Sequence, residues 1–473
     1  MRTGSGTLSN PFKNILRLAT GDLVAKATSF LAFVYLARVL GVSNFGVLEF
    51  AGSVLTYLLL IGDGGLEMWG TREAATTADV PALAARVVPL RLLLASISFL
   101  ILVLLLPLFP HYPNLRAVLL VYGLTVFAQA FSLKWTFMGQ QNMTRVARGL
   151  VIGQVVFAVA VVAFIHSAVG LVWVPVFRLV GDLATTIYFA RWFRRIHGRL
   201  PLRMTLRGMR VILKPAFTIG FSLALGLLNY NFDAVLLGFL RGAAFVAWYN
   251  AAYKLLLVGV GVAITYFTGL FPALSRLYVE NREGFRLLVR RTAEIWLLFV
   301  VPLVVGGTFL ADPVIRLLYG TAYASSVGPF RILLWSAALV ILRFVYMDSL
   351  RATGHQALDL RCAITSASLN VTLNILLIPR FGMIGAATAT TFADAIWFVM
   401  SYHYFRRAVL PGESFPSLRG PLLGGAAMGS VLWFARSVNW PLQVVVSLIV
   451  YLIVQALFGS VRLGPWAEET VQK

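Results

Sequence analysis

The sequence has few charged residues: Asp, Glu, Lys and Arg make up 12% of its 473 residues. An average soluble domain carries about 25% of these residues. In this chain 59% of the residues are hydrophobic, and the mean hydropathy is +0.84. A soluble protein of this composition would have too little polar surface to face water. The sequence therefore predicts a protein that crosses a membrane many times.

Several motifs of catalytic and metal sites are also missing. Cys362 is the one cysteine, which excludes an intramolecular disulfide and a site built from cysteines. The sequence has no Gly-x-x-x-x-Gly-Lys-Ser/Thr motif for ATP and no His-Glu-x-x-His motif for zinc. The five histidines are scattered along the chain. We therefore expect no cofactor, no metal site and no enzyme activity.

Apolar runs of about 20 residues, each long enough to cross a bilayer, recur along the whole chain. The first run contains Asp22 and Lys26 and has no clear cleavage site, so we interpret it as a span and not as a signal peptide. In all we place fourteen spans, at 14–40, 44–66, 81–108, 114–138, 146–166, 168–193, 208–239, 243–270, 285–310, 327–351, 357–378, 382–405, 417–436 and 440–459.

Positive charge is distributed unevenly over the loops of this arrangement. Most of the 40 Lys and Arg fall on the side of the bilayer that holds the N-terminus. Basic residues collect in cytoplasmic loops, so we predict that both termini lie in the cytoplasm. The net charge of +22 then requires no nucleic-acid partner. The densest cluster lies between the sixth and seventh spans and comprises Arg191, Arg194, Arg195, Arg199, Arg203, Arg207, Arg210 and Lys214.

The chain also contains an internal repeat. Leu36, Leu40, Phe45 and Ala51 match Leu236, Leu240, Phe245 and Ala251, and further on Phe193-Arg194-Arg195 matches Phe405-Arg406-Arg407. Six spans per copy place both copies in the same orientation, as in many secondary transporters that bind cargo between two halves. We therefore predict three domains: a six-helix bundle at 1–200, a second six-helix bundle at 201–410 and two additional helices at 411–473.

One stretch carries a family resemblance. It reads Ala37-Arg38-x-Leu40-Gly41-x-x-x-Phe45-Gly46, and after an apolar run Gly62-Asp63-Gly64-Gly65-Leu66-x-x-x-Gly70-Thr71-Arg72-Glu73. This pattern resembles the polysaccharide transporter, or O-antigen flippase, family of the multidrug/oligosaccharidyl-lipid/polysaccharide (MOP) exporter superfamily. Shorter matches follow at Asp233 to Gly238, Pro272 to Ser275, Leu318 to Tyr323 and Pro379 to Ala386.

The resemblance implies an all-α polytopic membrane protein. It would have about fourteen transmembrane helices: two pseudo-symmetric six-helix bundles in the V-shaped arrangement of that superfamily, plus two C-terminal helices. It further implies a flippase in the cell (inner or plasma) membrane that works by alternating access. The cargo would be a polyprenyl-diphosphate-linked oligosaccharide for surface polysaccharide such as O-antigen. Other proteins of polysaccharide assembly are the further partners that it implies.

Basic residues inside the spans are candidates for cargo binding. A diphosphate headgroup cannot cross hydrocarbon unaided because the loss of its hydration is too costly. A water-filled cavity lined by Lys and Arg would remove most of that cost. The candidates for this lining are Lys26, Arg178, Lys254 and Arg343. An internal ion pair with Asp22 or Asp182, four residues away on the same helix, explains Lys26 and Arg178 equally well.

Acidic and amide residues inside the spans are candidates for sugar contacts or for coupling to a proton or sodium gradient. They are Asp22, Asp182, Asn229, Asn231, Asp233, Asp348, Asn370, Asn374 and Asp394. Hydrogen bonding between helices is the competing explanation for the asparagines. Asp394 lacks the arginine four positions earlier that Asp182 has. Asp233 and Lys254 are expected to pair across neighbouring helices.

Charges near the span ends have a simpler interpretation. Asp63, Glu67, Arg72 and Glu73 mark the return of the chain to water after the second span, and Lys134 is expected to extend to the headgroups.

Three alternative functions stay open. A drug or cation exporter of the same superfamily would need an acidic cavity, which the basic residues at depth disfavour. A membrane polysaccharide polymerase or ligase would need a large outer loop, and the outer loops here are short. A lipid II flippase also has fourteen helices and a basic cavity, although the Ala37 to Gly41 motif favours the O-antigen type.

Overall fold

The computed structural model of the protein describes residues 11–200, 209–435 and 439–458. Within these ranges all regular structure is helical, and nine helices are long and apolar enough to cross a membrane. This confirms the predicted all-α membrane fold. The α-helices are α1 Pro11–Asp63, α2 Leu66–Thr76, α3 Val80–Leu105, α4 Leu115–Ala130, α5 Lys134–Gly139, α6 Met143–Phe164, α7 Trp173–His197, α8 Met209–Leu240, α9 Ala243–Glu280, α10 Arg282–Tyr319, α11 Val327–Ala352, α12 Gln356–Ala408, α13 Arg419–Phe434 and α14 Trp440–Leu457.

Two of these helices are bent at a glycine, and each bend separates two predicted spans. Gly41 in α1 has φ 73°, and Gly382 in α12 has φ 56°. Both angles lie in the left-handed region, which glycine adopts without the steric cost that a side chain would bring. Counting α1 and α12 as two segments each, and leaving out the short α2 and α5, the described residues form fourteen long helical segments, as predicted.

Several boundaries differ from the prediction. The fourth predicted span, 114–138, is interrupted after α4, and its last part is the separate short helix α5. The predicted span 243–270 continues as α9 to Glu280, and α10 starts directly after Asn281. The Asn281 side chain caps α10, because its Oδ1 accepts a hydrogen bond from the N–H of Gly284 at 2.8 Å. Apolar runs therefore located the spans but not their polar extensions.

The contacts divide the chain into two compact units, Met1–Ala247 and Trp248–Lys473. In the first unit, α1 packs against α3, α4, α6 and α8. A buried aromatic core joins Trp69 of α2, Trp135 of α5 and Phe189 of α7. Gly46 of α1 allows close contact with the start of α9, since a Cβ at Gly46 would overlap the carbonyl oxygen of Ala243. The family motif around Gly46 therefore has an architectural role.

In the second unit, α11 packs against both α10 and α12. The C-terminal helices α13 and α14 pack on each other and on α10. Met428, Leu432 and Tyr451 form the buried centre of this contact, and the Tyr451 hydroxyl donates a hydrogen bond to the carbonyl oxygen of Leu298 at 3.0 Å. The finer division into domains at 1–200, 201–410 and 411–473 stays a prediction.

Candidate functional site

The four predicted cavity cations differ widely in exposure. Lys26 on α1 is exposed, and Lys254 on α9 is half-buried. The side chain of Arg178 on α7 is 31% exposed, whereas that of Arg343 on α11 is only 1% exposed. The side chain of Asp22, the predicted partner of Lys26, lies outside the described residues.

Arg178 forms the predicted pair on its own helix. Its Nε lies 3.4 Å from Oδ2 of Asp182, which is a long hydrogen bond. Its guanidinium carbon lies 5.9 Å from the centre of the Phe157 ring. The long separation and the partial exposure leave Arg178 able to exchange Asp182 for another anion at modest cost.

Arg343 is held in a different way, by a carboxylate from another helix. Its Nη1 donates to Oδ1 of Asp394 at 3.0 Å, and the hydroxyl of Ser336 donates to Oδ2 of the same residue at 2.6 Å. The guanidinium carbon lies 3.7 Å from the centre of the Trp397 ring, within the range of a cation–π contact. This contact explains Asp394, for which the sequence offered no basic partner on its own helix.

Asp348 lies five residues after Arg343, but it pairs with another residue, Arg351, whose Nη1 lies 3.6 Å from its Oδ1. Arg351 also donates from Nε to Asp359 at 2.7 Å. These three residues cluster where α11 ends and α12 begins, so they tie the two helices together at their junction.

The asparagines of α12 form hydrogen bonds inside the second unit. Nδ2 of Asn374 donates to Oδ1 of Asn370 at 2.9 Å, and Nδ2 of Asn370 donates to the hydroxyl of Thr390 at 3.4 Å. The hydroxyl of Tyr249 lies 3.5 Å from that of Thr390. All four side chains are buried. This geometry favours the interhelical hydrogen bonding that competes with a cargo-facing role.

The polar residues of α8 are only partly described. The side chain of Asn229 lies outside the described residues, and Asn231 is half-buried. Asp233 is buried, and its Oδ1 accepts a hydrogen bond from the backbone N–H of Ala234 at 3.0 Å. Its expected pair with Lys254 stays a prediction.

The first unit also contains a charged cluster that was not predicted from the sequence. We name it the Arg91 cluster: Asp63, Glu67, Arg91 and Lys134. Nη2 of Arg91 lies 3.1 Å from Asp63 and 3.5 Å from Glu67, and Nζ of Lys134 lies 2.6 Å from Glu67. The Arg91 side chain is 2% exposed and also donates to the carbonyl oxygen of Ser132 at 2.9 Å. Arg91, which lies deeper in the apolar run of the third predicted span than Arg86 does, was the available signal.

This cluster corrects two interpretations. Asp63 and Glu67 do not simply return the chain to water, and Lys134 is bound to Glu67 instead of extending alone to the headgroups. Burial raises the pKa of Glu67, but the charges of Lys134 and Arg91 and the hydrogen bond from Lys134 outweigh it, so the pKa lies below its ordinary value. The ionised carboxylate joins α2 to α3 and α5.

Comparison with known sequences agrees with the resemblance seen in the motifs. The family described as polysaccharide biosynthesis protein matches residues 12–278. A probable low-salt glycan biosynthesis flippase of Haloferax volcanii is 22% identical over 49% of this chain and 50% of that protein. A putative O-antigen transporter of Escherichia coli is 22% identical over 79% of this chain and 92% of that protein. The chain thus spans about half the length of the archaeal relative and most of the bacterial one.

Solved structures share the fold. The lipid II flippase MurJ in an inward closed conformation superposes with a TM-score of 0.81 at 15% identity, covering 94% of this chain and 98% of that chain. An inward-facing multidrug resistance transporter of the MATE family, from the MOP superfamily, gives a TM-score of 0.65 at 15% identity, covering 84% of this chain and 98% of that chain.

The relatives named above are described as flippases and transporters and not as enzymes, as the sequence predicted. With more than half of its length matched, this multi-pass membrane protein belongs to the polysaccharide biosynthesis protein family.

Proposed function

We propose that the protein is a flippase for polyprenyl-diphosphate-linked oligosaccharide repeat units, which it moves from the cytoplasmic to the outer leaflet of the cell membrane. The observation that carries this proposal is the family match over residues 12–278, joined by relatives described as a glycan flippase and an O-antigen transporter. Both termini lie in the cytoplasm under this proposal. The exported units serve surface polysaccharide such as O-antigen, together with other proteins of polysaccharide assembly.

The cargo chemistry requires cations at membrane depth. Lys26, Arg178 and Lys254 keep some exposure and are the residues that we assign to contact with the diphosphate. Arg343 is a positioning residue in this scheme, because Asp394 and Trp397 enclose its guanidinium group. The two repeated bundles at 1–200 and 201–410 alternate between states open to either side, with the helices at 411–473 attached to the second.

A transport assay with purified, full-length protein in proteoliposomes tests the substrate class. The expected result is translocation of a fluorescent polyprenyl-diphosphate-linked oligosaccharide, measured by its accessibility to an outside reductant. Lipid II is the comparison substrate. Transport of lipid II alone, or of neither substrate, would overturn the proposal.

The role of the cavity cations is tested by Lys254→Gln. We expect transport to fall at least about tenfold, because a charge-assisted contact with the diphosphate is lost. Lys214→Gln is the matched control, since Lys214 is exposed near the start of α8 and has no assigned contact with cargo. Equal transport by the two variants at equal membrane levels would contradict the cationic cavity while leaving the substrate class standing.

A further inference from the structure

A pocket of about 510 Å³ lies in the first unit between α6 and α7, and the proposed transport does not use it. Its apolar lining comes from Ile152, Ala184 and Ile187, and its charged lining from Arg191 and Arg195. Tyr188 and Trp192 complete the lining. The two arginines belong to the densest basic cluster of the sequence, to which the proposed transport assigns no contact with cargo.

The aromatic ring of Trp192 organises two cations at this pocket. The guanidinium carbon of Arg145, from α6, lies 4.4 Å from the ring centre, and that of Arg195, from α7, lies 5.4 Å from it. Cation–π attraction holds each group near the ring. Two like charges near one ring repel each other, and an anion bound between or beside them would offset this repulsion.

Among the described residues, the half-buried Arg145 and the exposed Arg148, Arg191 and Arg195 form no ion pair with a carboxylate. The sequence explains this lack, because Asp182 is the one acidic residue between Asp79 and Asp233. These arginines are therefore available to an anion from outside the chain.

The surroundings of the cations indicate a lipid as the source of that anion. Both helices belong to membrane spans. A second pocket, of about 630 Å³, lies on the other flank of α6 and is lined by Gly21, Val24, Ala147, Arg148 and Val151. The two pockets share Ile152, so apolar grooves flank α6 on both sides, each with an arginine in its lining.

We propose that the Arg145–Trp192–Arg195 arrangement, with Arg148 and Arg191, is a binding site for the phosphate headgroup of an anionic phospholipid whose acyl chains lie in the grooves beside α6. Basic pockets between transmembrane helices are suited to such headgroups, and each basic side chain near the membrane surface contributes attraction. The site is separate from cargo transport, so it stands or falls independently of the proposed function.

The test uses the full-length protein in detergent micelles and native mass spectrometry, which counts the lipids that stay bound. Phosphatidylglycerol is expected to bind in preference to phosphatidylcholine. Arg191→Gln together with Arg195→Gln should weaken phosphatidylglycerol binding about tenfold or more. The matched control is Arg406→Gln together with Arg407→Gln, a pair of exposed arginines at the end of α12 in the second repeat copy. This control should change binding less than about twofold.

Trp192→Leu distinguishes a specific binding site from non-specific attraction of lipid to positive charge, because it removes the ring without changing the charge. We expect it to weaken phosphatidylglycerol binding severalfold. An equal loss in both arginine pairs, or an unchanged affinity in Trp192→Leu, would overturn the proposal. Inorganic phosphate that displaces phosphatidylglycerol at equal concentration would also overturn it, because the anion would then need no lipid tail.

Discussion

Among the described residues, each compact unit encloses one fully buried arginine, and the two differ in how exposed their partner carboxylates are. Arg91 in the first unit and Arg343 in the second are 2% and 1% exposed. Arg91 contacts two carboxylates, Asp63 and Glu67, which are 23% and 28% exposed. Arg343 contacts Asp394, whose side chain is 9% exposed. The first arginine thus lies in a cluster that still reaches water, and the second lies in a sealed contact between helices.

The position of each arginine along the elements explains this difference. The carboxylates of the Arg91 cluster come from the end of α1 and the start of α2, and Lys134 comes from the start of α5. Helix ends lie near the membrane surface, so this cluster keeps part of its hydration. Arg343 and Asp394 lie within α11 and α12, where the Trp397 ring covers the guanidinium group. Removing the buried arginine is therefore expected to lower the free energy of unfolding by different amounts in the two units.

The largest effect is expected for Arg343→Leu. This change leaves the Asp394 carboxylate buried without its cation, which costs about 3–5 kcal/mol. The free energy of unfolding of the full-length protein, measured by SDS titration in mixed micelles, should fall by this amount. The double variant Arg343→Leu with Asp394→Leu should recover most of the loss, because an apolar pair replaces a buried ion pair at little cost. A double variant as unstable as the single one would show that the pair is not sealed from solvent.

A smaller loss, of about 1–3 kcal/mol, is expected for Arg91→Leu. Lys134 still neutralises Glu67 in this variant, and both carboxylates can recruit water. The same SDS titration measures it, and the ratio of the two losses is the test of the comparison. If Arg91→Leu costs as much as Arg343→Leu, partial exposure of the carboxylates does not moderate the cost of removing their cation.

The positions of the helices could be predicted from the sequence because each helix is indicated by the residues that form it. An apolar run of span length, or a glycine between two such runs, as at Gly41 and Gly382, is visible without knowing what packs against it. The resemblance around Ala37 to Gly46 was equally local, and the family match confirmed it. Helix extensions such as the end of α9 were missed because polar helical turns carry no apolar signal.

The partners of buried charges were harder to predict because they depend on which helix faces meet. Spacing four residues apart on one helix identified the Arg178–Asp182 pair. The same rule failed for Asp394, because its partner Arg343 lies 51 positions away in the sequence. Arg91 was overlooked since its carboxylates belong to the preceding helices. A buried cation in an apolar run indicates that a partner exists, but only packing identifies it.

The smallest change in stability is expected for the Lys134–Glu67 contact, which belongs to the partly hydrated Arg91 cluster. Glu67 has a folded-state pKa below its ordinary value, so its ionised form stabilises the fold above the unfolded-state pKa, about 4.3. That stability is lost as the pH falls through the lowered folded-state pKa. Lys134→Gln removes the charge that lowers this pKa most, so the variant should lose less stability than the wild type between pH 7 and pH 4.

At pH 7 the Lys134→Gln variant should be less stable than the wild type by under about 1 kcal/mol, because both side chains are partly exposed. Thermal unfolding at pH 7 and at pH 4 measures both differences. Arg290→Gln, which removes the exposed cation 3.2 Å from Glu294, is the control that should leave the pH dependence unchanged. Equal acid sensitivity of Lys134→Gln and the wild type would mean that Lys134 does not set the charge state of the Arg91 cluster.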